Sequence, residues 1–589
     1  MDIFTDVSDS AFRTWEVFHY PRKGDSVKAV AVSRDAGQYL TACYTILLTL
    51  IIVMIWNFIV LMILAFYSVD ENSTDDTEKH RGMAVVGLWN ASEPLKALMF
   101  MAEYISAVIS TRQWSKVIRP AFGLLFVALC CFVASNAVSI VVAGKLEVGN
   151  LAPARPSSVY IPNIQPRNNE DKAQLQAILG PATLRALGSS EAADVTVRDR
   201  LNIVAKYPAT APGDFSPHFT LSYSYSITGR DMGLQNFPLL RQDVIGNCET
   251  DYNWFDRYDS GNEIYYPWNN QQAGYPVPRT GEANSPPRVR AILDPSIPTN
   301  EKAFPSQRRF GIIIYSVGRS SYRSSTDPWY YTEPIKNLTS SDRDPPRNKV
   351  RVNRPPLSCW QNDTWTYNGR TYENIFEASD ALKGVFPEGW RLLLQFQFAL
   401  PKIVSIANSA GASALTSSMT YVGSGFDAAA ATVEDEMKRL LVATFISSSH
   451  IFRDTVMTPP QDGTNNLAKG PDGQPQTGVA NFVVATPQVT ALRFSILVAV
   501  PVTFLALMLL SLIEKILKMC GSNFLKKMEW YEAAYLYGEE VKIKMETEMK
   551  MGAEINIKNR THPANEKIKN WRQIIKNWYV KPITSPIPS

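Results

Sequence analysis

Residues 39–67 read YLTACYTILLTLIIVMIWNFIVLMILAFY, without one charged side chain. About 20 consecutive apolar residues are enough for a helix to cross the hydrocarbon core of a bilayer, and a helix satisfies its own backbone polar groups in lipid. Two more runs reach that length: AFGLLFVALCCFVASNAVSIVVA at 121–143, also uncharged, and FSILVAVPVTFLALMLLSLI at 494–513, closed by Glu514 and Lys515. The first run begins too far from Met1 to be the core of a cleaved signal peptide, so it is expected to remain as an anchor. The predicted fold is an α-helical membrane anchor of three spans joined to a long α+β, sheet-rich domain.

Lys and Arg near the span ends set the orientation. Lys515, Lys518, Lys526 and Lys527 follow the third span; Arg112, Lys116 and Arg119 precede the second, and only Lys145 follows it closely. Both biases put the segment between spans two and three outside the cytosol and the tail inside. Three spans then put the N-terminus outside as well. Lys23, Lys28 and Arg34 before the first span, with the acidic DENSTDDTE after it, favour the opposite. That alternative needs a fourth crossing between Met83 and Ser110. The stretch LKALMFMAEYISAVIS (95–110) is short and contains Lys96 and Glu103, so a membrane-surface helix on the cytosolic face is expected there. The chain divides into an N-terminal segment (1–38), span one (39–67), a connecting loop with an amphipathic helix (68–120), span two (121–143), the external domain (144–491), span three (492–514) and a basic cytosolic tail (515–589).

Cysteine usage agrees with this placement. Of six cysteines, Cys43, Cys130 and Cys131 lie within spans and Cys520 just past the third, placed for S-palmitoylation but read first as an inert thiol. The remaining two, Cys248 and Cys359, are expected to pair in an oxidising compartment. Closing that loop of about 110 residues would contribute roughly 4–5 kcal/mol in the chain-entropy model. The sequons Asn337-Leu-Thr and Asn362-Asp-Thr fall in the same segment and are read as glycosylation sites. Asn72 and Asn90 also begin sequons and would carry glycans only if the 68–120 loop were external.

Within the external domain, HFTLSYSYSIT (218–228) alternates apolar with small polar residues and predicts a half-buried strand. RFGIIIYSVG (309–318) reads as a buried strand and GWRLLLQFQFAL (389–400) as another alternating one. In WTYNGRTY (365–372), Asn368-Gly369 is a hairpin signal, because a type I′ turn needs positive φ at both positions; that register sets Trp365 against Tyr372. A helix is predicted around 172–187 and another over 426–447, with Val433, Met437, Leu440, Leu441 and Phe445 on one face. NLAPARPSSVYIPNIQP (150–166) reads as an extended linker and TPPQDGTNNLAKGPDGQPQTG (458–478) as a flexible stalk. In the tail, Ile568, Trp571, Ile575 and Trp578 share one helical face, with Lys567, Lys569, Arg572 and Lys576 largely around it, which suits a helix lying on anionic inner-leaflet lipids or one docking onto a protein partner.

Motifs that carry a mechanism are scarce. A formal net charge of +4 gives a nucleic-acid partner no global support. No Walker loop, His-Glu-x-x-His, Gly-x-Ser-x-Gly or zinc spacing occurs, so no catalytic residue, metal or cofactor is assigned. Asp342-x-Asp344 sits in a solvated loop. Trp254, Phe255, Tyr258, Tyr265, Tyr266 and Trp268, then Trp329, Tyr330 and Tyr331, then Trp360 and Trp365, are dense enough to stack sugars or a partner, against packing of long loops onto the core. The spans hold few polar groups (Asn57, Ser135 and Asn136), which argues against a transport pathway.

The segments VVGLWNASEPLKAL (85–98), GKLEVGNLAPARPS (144–157) and LSCWQNDTWTYNG (357–369) resemble a group of uncharacterised fungal membrane proteins. The resemblance implies a long ectodomain before the last span and a filamentous-fungal origin, and carries no activity. The expected function is that of a membrane glycoprotein of the plasma membrane or secretory pathway, whose non-enzymatic ectodomain binds an extracellular or lumenal ligand or partner. The alternatives are a tethered enzyme acting on external carbohydrate and an accessory subunit of a transporter or channel.

Overall fold

The computed structural model describes the chain apart from residues 1–7, 23–24, 67–83, 111–117, 162–168, 198, 209–215, 238, 270–273, 279–284, 297–304, 337–345, 458–468, 471 and 520–589. In chain order, β1 (Val17–Arg22) and β2 (Asp25–Ser33) precede the long helix α1 (Arg34–Phe66), then α2 (84–90), α3 (Pro94–Ser110) and α4 (Ile118–Leu146). Next come β3 (Glu147–Gly149), β4 (Leu151–Pro153), α5 (Asn169–Val197), β5 (Leu201–Lys206), β6 (Thr220–Thr228) and β7 (Arg241–Thr250). Short strands β8 (Phe255–Asp259), β9 (Asn262–Tyr265) and β10 (Tyr275–Pro278) lead to β11 (Arg288–Leu293) and β12 (Gln307–Tyr315). After β13 (Ser320–Ser321), β14 (Thr332–Pro334) and β15 (Asn348–Val350) comes the hairpin of β16 (Leu357–Tyr367) and β17 (Arg370–Tyr372). Helices α6 (Ile375–Ala381), α7 (Glu388–Phe398), α8 (Lys402–Ala410), α9 (Thr416–Met419), α10 (Val433–Ser449) and α11 (Ile451–Asp454) follow. Strands β18 (Val483–Ala485) and β19 (Val489–Arg493) end the series before α12 (Phe494–Met519).

Two compact units form: residues 1–34 with 148–492, and residues 35–147 with 493–589. In the helical unit, α1, α4 and α12 contain apolar stretches of 31, 25 and 24 residues with mean hydropathies of 2.9, 2.4 and 2.8, each long and apolar enough to cross a membrane. At 17 residues, with Lys96 and Glu103 inside it, α3 falls short of the length a crossing needs. Its stripe of Ala97, Met101, Tyr104 and Ile105, at helical spacing, is buried with Val85 and Leu88 of α2 against Trp56, Val60 and Leu64 of α1 and Leu124 and Ala128 of α4. The Trp56 indole N–H donates to the Ala91 carbonyl at 2.8 Å. One apolar stripe of α3 is thus covered by protein, while Leu95, Met99 and Ile109 of the same helix stay exposed.

The mixed unit is built on a seven-stranded antiparallel sheet of order β11-β12-β16-β7-β6-β5, with β17 paired to β16. Helices α6, α8 and α10 pack on one face, with α5 laid against α8 and α10, a one-sided cover that antiparallel sheets allow. That face carries Leu221, Tyr223, Tyr225, Ile227, Val244, Phe310, Ile312 and Trp365 into the core. The hairpin forms as the Asn-Gly signal requires: Asn368 and Gly369 have φ of 49° and 77°, and Trp365 lies opposite Tyr372. On the sheet's other face, Trp254 beside the small sheet β10-β9-β8 lies so close to β12 that a Cβ on Gly311 would meet its ring at 2.7 Å. The small sheet therefore covers one end of that face, where Trp254, Tyr265, Val277, Ile313 and Tyr315 form a second core.

A four-stranded sheet of order β1-β2-β19-β3 joins the N-terminal strands to the segments that flank α4 and α12. Ala29, Ala31 and Val32 are fully buried, and backbone bonds knit the region together: Arg13 N–H to Pro153, Arg155 N–H to Ala11 and Arg34 N–H to Gln488. Residues 1–34 are thus part of the same body as 148–492, a grouping the division at residue 38 does not foresee.

Other differences have local causes. The stretch 389–400, expected as a strand, instead falls in α7, which ends at Phe398. Trp390, Leu393, Leu394 and Phe398 are buried at spacings of three, one and four, and prolines 387 and 401 bound the helix. The linker at 150–166 contributes Ala152, Ala154, Val159 and Ile161 to the core. The described end of the stalk is docked: Gly389 N–H donates to the Gln476 side chain at 3.1 Å and the Trp390 indole to the Val479 carbonyl at 2.7 Å.

Candidate functional site

Strand alternation turns β16 into two different surfaces. Cys359, Gln361 and Asp363 face the helices; Trp360, Asn362 and Thr364 face the opposite side and are half-buried. Cys359 lies directly opposite Cys248 on β7 and the two form a disulfide, so the expected pairing is present. Asp363 forms an ion pair with Arg308, whose guanidinium also donates to the Phe398 and Ala399 carbonyls at 2.8 and 2.9 Å, closing the C-terminal end of α7. Gln361 bridges Asp363 to the Tyr223 hydroxyl. This inner network is structural: every member is spent on another.

The opposite face carries polar side chains that lie away from the covering helices. Reading the register across the sheet, Asn362 lies beside Ile245, then Ser224, then Asn202; Trp360 lies beside Asn247, then Ser222, then Val204. Beyond the cover of the small sheet, the β5–β7 part of this face forms a concavity of about 940 Å³ lined by Arg200, Asn202, Ser224, Ser226, Arg241, Asp243 and Ile245. Arg200 holds Asp231 in a two-pronged pair at 2.9 and 2.6 Å. Burial opposes ionisation of Asp231, but hydrogen bonds from Arg200 and Thr228 outweigh it and keep the carboxyl below its ordinary range. Arg241 donates to Asp243 at 2.8 Å and to the Ser226 hydroxyl at 3.1 Å, and Ser226 in turn bonds Asp243. The Arg241–Asp243 pair, Asn202, the Ser224 and Ser226 hydroxyls and the exposed Ile245 side chain thus converge on one hollow of ligand size, while the Arg200 guanidinium, paired with Asp231, lies over the Phe445 ring of α10.

Two buried polar clusters lie on the helical side. A cavity of about 30 Å³, room for ordered water, is lined by Tyr160, Thr183, Gln397, Lys402, Ser405 and Asp454 among others. Burial lowers Lys402 to about 8, and Asp454 only partly opposes it; its ammonium donates to Gln397. Near the start of α10, Asp327 accepts from the Val433 and Trp329 N–H groups at 2.8 and 2.9 Å, and Glu436 accepts from Thr416 N–H, Ser417 N–H and the Tyr330 hydroxyl. Burial raises Asp327 to about 7 against those donors, and raises Glu436 too. Both carboxyls serve helix N-termini. Among the described residues no group of three or more His, Cys, Asp and Glu is arranged to hold a metal.

Of the positions singled out from sequence, Trp254, Tyr265, Trp329, Tyr330 and Trp365 are buried, so those aromatics pack the core. Trp360 remains on the open face. Asn90 is half-buried, its amide donating to Val86 at 2.8 Å. Asn72, Asn337, Asp342, Asp344, Cys520 and the tail helix with Ile568, Trp571, Ile575 and Trp578 lie outside the described residues. Arg200, Arg241, Asp243 and Lys402 escaped the sequence reading; the alternation of Arg241, Asp243 and Ile245 was the one visible cue, and only register brings Arg200 and Asn202 to it.

No curated protein and no solved structure matches the chain significantly. A family model described as a domain of unknown function, DUF8406, matches residues 180–484, more than half of the chain and nearly all of the large sheet with its helices. The chain belongs to the DUF8406 family.

Proposed function

We propose that the protein is an integral membrane glycoprotein that crosses the bilayer three times and binds a hydroxyl-rich polar ligand, of saccharide chemistry, on the open face of its extracytoplasmic sheet. The observation that carries the binding reading is the hollow at Arg200, Asn202, Ser226, Arg241 and Asp243. Planar, bidentate groups and hydroxyls match the donor and acceptor pattern of a sugar ring, and Ile245, 55 % exposed, offers the apolar patch its C–H face needs. The orientation is supported by the Lys and Arg bias around spans two and three. The disulfide suits an oxidising compartment. Because residues 1–34 fold with 148–492, the N-terminus belongs on the same side, which needs three crossings and leaves α3 and Asn90 at the cytosolic side. The tail, with Trp571 and Trp578, would then rest on the anionic inner leaflet.

The test is calorimetric titration of the purified full chain with soluble oligomers of glucose, mannose and N-acetylglucosamine. The expected result is saturable binding to at least one series, weakened roughly 10- to 100-fold in Arg241→Ala, as loss of a hydrogen bond to a charged group predicts. Absence of binding to all three, or binding indifferent to Arg241, Asn202 and Asp243, contradicts the proposal.

A further inference from the structure

On the open face, three apolar side chains stand among hydroxyls and amides: Ile245 and Val204, 55 % and 46 % exposed, and the half-buried Trp360. The sequon Asn362-Asp-Thr364 runs through the middle of them. In a strand, residues i−2, i and i+2 project from one face about 7 Å apart, so Trp360, Asn362 and Thr364 stand in line. We infer that Asn362 carries an N-linked glycan whose first N-acetylglucosamine lies on the Trp360 indole, making the sugar a structural cover of the sheet. This rests on the extracytoplasmic placement of residues 148–492.

The chemistry is that of a transferase acting on the nascent chain. The Asn362 Nδ2 attacks C1 of the reducing-end sugar of a polyisoprenyl-pyrophosphate-linked oligosaccharide. The C1–O bond to the pyrophosphate breaks, the N-glycosidic bond forms, and the amide proton leaves with the displaced lipid pyrophosphate. Transfer must precede folding, because β16 is hydrogen-bonded on both sides, to β12 and β7. After folding, the glycan has a place only because the covering helices lie on the other face.

The neighbours of Asn362 direct the sugar. Gln307 and Ile245 flank Asn362 itself, while Arg309 and Asn247 flank Trp360. An aromatic face attracts the C–H side of a pyranose and leaves its hydroxyls to adjacent polar groups, as amphipathic rings do at wet interfaces. Toward Thr364 the neighbours are Asp243 and then Ser226, already committed to Arg241. Stacking on Trp360 therefore carries the glycan along the Asn247–Ser222–Val204 row and makes it a rim of the Arg200–Arg241 hollow rather than its plug.

The test uses full-length protein from a eukaryotic secretory host. Glycopeptide mass spectrometry reads occupancy at Asn362 and Asn337, and thermal unfolding compares the intact protein, the same protein trimmed to a single N-acetylglucosamine, and variants Asn362→Gln, Thr364→Val and Trp360→Ala. Thr364→Val removes the sequon while keeping Asn362 and a good strand residue, so a folding defect peculiar to Gln is separated. Expected are occupancy at Asn362, unchanged melting after trimming, a fall of about 2–4 °C in both sequon variants, and a cost of Trp360→Ala that shrinks in the Thr364→Val background. Occupancy of Asn337 with Asn362 bare overturns this inference and leaves the external placement standing. Bare sequons at both overturn the two together. An equal Trp360→Ala cost with and without the sugar also overturns the stacking.

Discussion

Arg308 and Asp363 form an ion pair across β12 and β16 with both side chains enclosed. Removing two charges from water is costly, and a pair buried this way is compensated only while both partners and their hydrogen bonds are present. Asp363→Ala should lower stability by roughly 3–5 kcal/mol, because Arg308 is left charged in the core. In thermal unfolding the double variant Arg308→Met/Asp363→Leu should lose less than the sum of the single variants. An additive double variant would mean that the two residues act independently. Asp363→Ala leaves the sequon intact, so its effect is separable from any loss of glycan.

Lys402 is the opposite case, a buried ammonium with a neutral amide as its hydrogen-bond partner. Its folded value of about 8 lies below the ordinary lysine value of 10.5. The unfolded chain therefore binds more protons between those values, and stability should rise with pH across that window. Lys402→Met should flatten this rise and stabilise the protein at neutral pH by up to about 3 kcal/mol. A Met variant that melts lower than the parent would assign the ammonium a necessary role in the adjoining cavity.

Asp327 gives a second window of opposite sign. Its folded value of about 7 lies above the ordinary aspartate value of 3.8. The native state holds a proton that the unfolded state has released, so stability should fall as pH rises from about 4 to 7. Denaturant titrations at stepped pH should show a shallower fall for Asp327→Asn than for the parent. Identical slopes would sink this assignment.

The disulfide joins residues directly opposed in the β7–β16 ladder, 111 positions apart in sequence. Cys248→Ala/Cys359→Ala should cost roughly 2–4 kcal/mol, with the strand pairing itself retained because the ladder runs the length of β7. Circular dichroism should therefore keep its sheet signal at low temperature while the melting point drops. Loss of the sheet signal at all temperatures would show that the ladder depends on the bond.

How much of this was legible in the chain depends on how local the cause was. The β16–β17 hairpin is written in WTYNGRTY, since turn chemistry and alternation agree within eight residues. In GWRLLLQFQFAL the two periods coincide. Leu392, Leu394, Phe396 and Phe398 alternate, while Trp390, Leu393, Leu394 and Phe398 fit a helix, and the bounding prolines 387 and 401 were the deciding signal. The N-terminal strand β2 pairs with residues more than 450 positions away, at β19, and no local pattern specifies such a partner. The hollow shares that limit: Arg200, Ser226 and Arg241 come from separate places in the chain and meet through register. Trp360, Asn362 and Thr364 could be set on one face by spacing, but only the packing of the helices reveals that this face is open.

Three crossings require residues 1–34 to share a side of the membrane with the disulfide-bonded domain. The direct measurement is labelling of sealed cells with a membrane-impermeant reagent, using one epitope tag ahead of residue 8 and another after Ser589. The N-terminal tag should be reached in intact cells and the C-terminal tag only after permeabilisation. Protection of the N-terminal tag until permeabilisation, with the domain between α4 and α12 exposed, would contradict the three-crossing arrangement and the joint fold on which it rests.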